Sequence, residues 1–112
     1  MHESGIAYDI YATSKRAAEE NGAVRVKTIY VDVGSMAMVN PDQVEFMFGT
    51  FVTDDPLFSE AKLVFTTVPP VAECECGYRG SEIFVCPTCG KLPHLVQGRV
   101  ILVKNIEIDT EE

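Results

Sequence analysis

The 112-residue sequence predicts a small α/β chain of the α+β kind, a mixed three-stranded sheet packed by two helices, with a cysteine-bearing domain inserted before the last strand. Three observations carry this. Two segments repeat apolar residues at spacings of three and four. Three others are rich in β-branched residues, and the order along the chain is helix, strand, helix, strand, cysteine segment, strand. That order gives one body from residues 1–70 with 98–112 and an inserted body from residues 71–97.

The first helix runs over Ser4 to Asn21. Ile6, Ile10, Thr13 and Ala17 recur on one stripe, while Lys15, Arg16, Glu19 and Glu20 fall elsewhere. Asn21-Gly22 stops it, since glycine accepts the left-handed conformation that helix C-termini need. Val24 to Val33 is the first strand. Both of its parities carry apolar side chains (Val24, Val26 and Tyr30 against Ile29, Val31 and Val33), which predicts a central strand covered on both faces.

Asn40-Pro41-Asp42 is a helix start, because Asn caps the first amides, Pro fits the first helical position and Asp meets the positive end of the dipole. Val44, Met47, Phe48 and Phe51 follow at core spacing, and Asp54-Asp55-Pro56 closes the segment. Ala61 to Val68 reads as the second strand, ended by Pro69-Pro70. Arg99 to Ile108 reads as the third, with Val100, Leu102, Ile106 and Ile108 on one parity.

Composition narrows the function. A 46% apolar fraction without low-complexity tracts describes a folded globular chain, and no apolar run approaches bilayer length. The formal net charge is −8, and nine scattered Lys and Arg leave nucleic acid little to bind. The acidic surface reads as a solubility device. No basic region precedes an apolar stretch at the N-terminus, so a cytoplasmic location is expected.

All four cysteines fall within sixteen residues, as Cys74-Glu75-Cys76 and Cys86-Pro87-Thr88-Cys89-Gly90. In a reducing compartment such crowding points to a metal. Four thiolates suit zinc in a closed tetrahedral site, and iron of the rubredoxin type or two disulfides are the competing readings. Gly77 and Gly90 each follow the second cysteine of a pair, where lack of a Cβ lets backbone N–H groups turn toward sulfur. The Cys-x-Cys pair is one residue shorter than usual and needs a tighter turn.

The second concentrated signal is Met1-His2-Glu3. A large residue at position two predicts retention of Met1. The α-amino group, the His2 amide nitrogen and the His2 imidazole then lie in succession and can form fused chelate rings. Three such nitrogens suit square-planar Ni(II) or Cu(II), with the Glu3 carboxylate at hand as an oxygen ligand.

The terminal Met-His-Glu, the Val31-Asp32-Val33-Gly34 strand end followed by Asn40-Pro41, the Cys86 to Gly90 knuckle and the closing Ile101 to Ile108 segment together make the chain resemble the HypA family of hydrogenase nickel-insertion accessory proteins. The resemblance spans essentially the whole chain. It implies a nickel-binding α/β domain joined to a zinc ribbon. It also implies delivery of Ni(II) to the large subunit of immature nickel-iron hydrogenase with the partner GTPase HypB, some relatives serving urease. Carried over by position, the nickel ligands are Met1, His2 and Glu3, and the zinc ligands are Cys74, Cys76, Cys86 and Cys89. A monomer or weak homodimer is implied.

Three departures stand out: the family usually has Cys-x-x-Cys in both pairs, the spacer here is short, and Asn40 stands near a position where some relatives carry an acidic nickel neighbour. The remaining candidates weigh against catalysis. His94 reads as a solvated turn residue, the four methionines form no metal box, and no Walker-type glycine loop is present. A Cys89–His94 catalytic pair is set aside because knuckle cysteines held by metal are poor nucleophiles. The competing functional class is a zinc-ribbon protein-interaction module that never carries nickel.

Overall fold

The computed structural model describes residues 3–111. Helix α1 spans Glu3–Glu20, strand β1 Ala23–Gly34, helix α2 Pro41–Val52, a single 3-10 turn Pro56–Phe58, and strand β2 Lys62–Val68. Three short strands follow, β3 Val71–Glu73, β4 Arg79–Gly80 and β5 His94–Gln97, before the long β6 Ile101–Thr110. They form two three-stranded sheets, ordered β2-β1-β6 and β4-β3-β5. The first sheet and the two helices are those expected from sequence, with β1 in the centre.

The chain divides into two compact units. One gathers α1, α2, the 3-10 turn, β2 up to Thr66, β1 up to Val31 and β6 from Leu102. Its core is Ile6, Ala7, Ile10 and Ala18 of α1, Val26, Ile29 and Val31 of β1, Val44 and Phe48 of α2, Phe58 and Leu63. Asn40 caps α2 as expected, its side-chain oxygen accepting from the backbone N–H of Asp42 at 3.0 Å and of Gln43 at 3.3 Å. Phe58 on the 3-10 turn meets Phe48 edge-on and Tyr11 at a tilt, with ring centroids 5.9 and 5.2 Å apart.

The α1 stripe departs from expectation. Ser14 and Ala18 are fully buried where Thr13 and Ala17 were expected, so the buried face follows i, i+4, i+8 and i+12 from Ile6. Ser14 Oγ has no hydrogen-bond partner there. In β1, Ile29, Val31 and Val33 are buried on one parity; on the other Val26 is fully buried, Thr28, Tyr30 and Asp32 are half-covered and Val24 is exposed, so both faces are covered but unequally.

The second unit comprises Asp32–Met38 and Thr67–Ile101. It is knit by backbone hydrogen bonds from Gly34 N–H to Val100 O, Ser35 N–H to Val68 O and Met36 N–H to Gly98 O, at 2.7 to 2.9 Å. Glycine is required at this crossing. A Cβ on Gly34 would lie 2.3 Å from the Gly98 carbonyl carbon and oxygen, and Gly98 itself has a φ of +101°. Val100 lies one residue before β6 and is 61% exposed, and Leu102 is 48% exposed, which corrects the single parity expected for the last strand. Within β6 the half-buried apolar residues are Ile101 and Val103, then Ile106 and Ile108, so the parity changes midway.

Candidate metal centre

The centre is built by two turns of the second unit. Strand β3 delivers Cys74 from Glu73, and β4 pairs back onto it antiparallel with Glu73 opposite Arg79 and Ala72 opposite Gly80. Between them the chain reverses in a four-residue turn closed by Gly77 N–H to Cys74 O at 2.9 Å, and Cys74 N–H donates to Tyr78 O at 2.9 Å. The second turn carries Cys86 and Cys89. Gly90 N–H donates to Cys86 O and Cys86 N–H to Lys91 O, both at 2.8 Å. Gly77 and Gly90 have φ of +101° and +76°, a region that costs glycine nothing. The two turns share one design, the first a residue shorter.

Their purpose is visible in the amides that follow each glycine. The Tyr78 N–H reaches the Cys76 sulfur and the Lys91 N–H the Cys89 sulfur, while Thr88 and Cys89 N–H groups reach Cys86. Cys86 is 1% exposed, and that burial opposes its ionisation. The Cys89 and Thr88 amides outweigh burial and, with the neighbouring thiols, hold Cys86 down at about 6. At Cys76 the Tyr78 amide favours the thiolate, but its sulfur neighbours and burial overcome it and push the thiol up to about 12. Negative charge on one sulfur thus opposes a second thiolate beside it. A cation removes that conflict.

The sulfur geometry fits a tetrahedral ion. Cys74 Sγ lies 3.4 Å from Cys89 Sγ, Cys76 Sγ 3.5 Å from Cys86 Sγ, and all four lie within 4.8 Å of one another. Zinc–sulfur bonds of about 2.3 Å at tetrahedral angles require sulfurs about 3.8 Å apart. All four cysteines are free thiols, so the disulfide reading does not describe this structure.

An open cavity of about 400 Å³ adjoins the sulfurs, lined by Cys74, Glu75, Cys76, Cys89, Lys91, Leu92 and His94. His94 is exposed and belongs to β5, paired with Glu73 of β3, not to the solvated turn expected from sequence. It stands outside the four-cysteine group. Of the other predicted site residues, Met1 and His2 lie outside the described residues, and Glu3 opens the first turn of α1. Asn40 spends its side-chain oxygen on the α2 cap. The sulfur-directed amides of Tyr78 and Lys91 were not singled out in the sequence, although the residue following each Cys-Gly step marks them.

Comparison with known proteins agrees along nearly the whole length. The family model described as hydrogenase/urease nickel incorporation, metallochaperone, hypA matches residues 1–108. A protein named hydrogenase maturation factor HypA from Methanocella arvoryzae is 39% identical over 113 residues, covering 97% of this chain and 99% of that protein. Its namesake from Methanosarcina mazei is 37% identical over 131 residues, covering 99% and 95%. The solution structure of the Ni metallochaperone HypA from Helicobacter pylori superposes with a TM-score of 0.80 at 20% identity, covering 99% of this chain and all of that one, which shows a common fold.

Proposed function

The chain belongs to the HypA family of hydrogenase/urease nickel-incorporation metallochaperones, and from that premise we propose that it binds Ni(II) at Met1, His2 and Glu3 and delivers it during maturation of nickel-iron hydrogenase. We further assign residues 1–70 and 98–112 to the nickel-binding domain and 71–97 to the zinc ribbon. The observation that carries the reading is the pairing of a whole-length family match with four sulfurs gathered at the spacing of one tetrahedral ion.

Cys74, Cys76, Cys86 and Cys89 would hold zinc, whose contribution is structural charge balance among thiolates. All four positions are taken by protein, so no coordination site is left open for chemistry. Tyr78, Thr88, Cys89 and Lys91 amides orient the sulfurs and lower the cost of their charge. The nickel ligands differ in kind. An amine, an amide nitrogen, an imidazole and a carboxylate make a mixed N/O set at a chain end, suited to planar Ni(II) and to exchange with a client. Such a division gives one retained metal and one cargo.

The chain carries metal and catalyses nothing, in keeping with a family of maturation factors. Nucleotide hydrolysis falls to the partner GTPase HypB, because this sequence has no Walker glycine loop. The recipient is the immature hydrogenase large subunit, and the exchange takes place in the cytoplasm with the chain as monomer or weak homodimer. No described helix is long and apolar enough to cross a membrane.

Calorimetric titration with Ni(II) tests the terminal site. Native chain should bind at least tenfold more tightly than His2→Ala or a chain extended at its N-terminus. Equal affinity in all three overturns it. Elemental analysis tests the other site, where one zinc per colourless chain is expected and a reddish, iron-containing protein refutes zinc.

A further inference from the structure

We propose that the cysteine cluster is also a redox-sensitive clasp in which a peroxide joins Cys74 to Cys89 and Cys76 to Cys86, across the two turns, and so releases the metal. The inference rests on the reading that zinc is held there, and its chemistry is carried by this chain's own sulfurs. Two observations single out the pairing. Two close sulfur contacts join the turns, Cys74 with Cys89 at 3.4 Å and Cys76 with Cys86 at 3.5 Å. A disulfide needs about 2.05 Å, so each pair closes with an approach of about 1.4 Å. Bridges within a turn face an obstacle. Cys74 and Cys76 are separated by one residue inside a hydrogen-bonded reversal, and Cys86 and Cys89 lie within another that the Gly90 N–H to Cys86 O bond closes.

Access sets the order. Cys76 and Cys89 are exposed and Cys74 half-buried, whereas Cys86 is 1% exposed. Oxidation follows thiolate character and access, and zinc keeps its ligands as thiolates. Cys74 with Cys89 therefore closes first. The Cys89 thiolate attacks one peroxide oxygen, an S–O bond forms, the O–O bond breaks and hydroxide leaves. The Cys74 thiolate then attacks the Cys89 sulfur, forming the S–S bond and expelling the second oxygen as hydroxide. Two thiolates have been oxidised and one peroxide reduced, with solvent protons making two waters. A second equivalent does the same at Cys76 and Cys86.

With two of four ligands spent, the tetrahedral set is gone and the ion leaves. In function this would take the ribbon out of service under oxidant while sparing the thiols from irreversible oxidation, and thiol reductant with zinc would restore it.

Titrating the zinc-loaded full chain with hydrogen peroxide tests this, with released zinc read by a chromogenic chelator and bridges by mass spectrometry of unreduced peptides. Cleavage after Arg79 separates the two turns, so a cross-turn bridge joins two peptides and a within-turn bridge joins none. Zinc should be fully released by two equivalents, with fragmentation placing Cys74–Cys89 severalfold ahead of Cys76–Cys86 after the first. Reduction with added zinc should return one ion per chain. A bridge within Cys86–Cys89, sulfinic acids in place of bridges, or zinc retained at two equivalents would overturn the proposal. A chain purified without zinc would overturn the metal assignment instead, and its peptide pairing on oxidation would still decide how the sulfurs join.

Discussion

Replacing Asp55 with Ala should destabilise the first unit by about 3 kcal/mol, and each part of that figure has a visible source. Asp55 caps the 3-10 turn, its Oδ1 accepting the Leu57 N–H at 3.1 Å, and losing such a cap costs about 1 kcal/mol. Its Oδ2 accepts the Tyr11 hydroxyl at 2.7 Å, and a hydrogen bond to a charged acceptor contributes about 1.5–3 kcal/mol. Lys15 Nζ also sits 3.0 Å from Oδ2, but with 38% of its side chain exposed that ion pair adds little after solvent screening. The carboxylate thus ties α1 to the turn that carries the buried Phe58. For a unit of this size each kcal/mol moves the melting temperature by roughly 4–8 °C, so a drop of roughly 12–24 °C is expected in calorimetry. A loss below about 1 kcal/mol would refute the assignment. So would a Tyr11→Phe, Asp55→Asn double-mutant cycle additive to within about 0.3 kcal/mol.

The same carboxylate gives a pH signature. Burial acts to raise its pKa, but hydrogen bonds from Tyr11, Lys15 and Leu57 outweigh it and the native value lies below the ordinary 3.8. A carboxyl depressed in the folded state adds stability above its unfolded pKa and loses it as pH falls toward the native value. Native protein should therefore lose stability from about pH 5 downward faster than Asp55→Asn. Parallel curves for the two proteins would contradict the shift.

Three other outcomes follow from the geometry. Chelation of the metal, or Cys86→Ser, should remove hydrogen-exchange protection from the amides of Gly77, Tyr78, Gly90 and Lys91 while leaving those of the α1 core in place; retained protection in the turns would mean that their own hydrogen bonds suffice. Gly34→Ala should cost about 3 kcal/mol or more in denaturant unfolding, because its Cβ would meet the Gly98 backbone at 2.3 Å, and a near-neutral result would deny the crossing. Asn40→Ala should cost about 1 kcal/mol through the lost cap and leave Ni(II) affinity unchanged in calorimetry, whereas a tenfold loss of affinity would make Asn40 a metal neighbour.

What the sequence revealed and what it hid divide along a physical line. Helix α2 was legible because Asn40 and Pro41 act through local rules and because Val44 and Phe48 lie one helical turn apart on the buried face, although Phe51, expected on the same stripe, is 40% exposed. The central place of β1 was legible in its β-branched density. Strands of two to four residues, β3, β4 and β5, offer no period to read, and they arise where the cysteine turns bring chain segments together. The inward face of α1 was misjudged between Thr13 and Ser14 because both are small and polar, and only packing distinguishes them. For β6, a single alternation could not foresee that the covered parity changes between Val103 and Ile106.

The short Cys-x-Cys pair is the departure that most readily misleads a reading by motif, and the backbone explains why it is tolerated. In each turn the same hydrogen bond links the first cysteine's carbonyl to the glycine that follows the second, but it closes over three residues from Cys74 to Gly77 and over four from Cys86 to Gly90. Removing one residue thus changes the size of the reversal and keeps its ending, a left-handed glycine followed by an amide aimed at the second sulfur. Sulfur position depends on that ending. The four thiols therefore meet within 4.8 Å although one motif is incomplete, and ligand spacing in sequence is a weaker guide to the cage than the glycine that closes each turn.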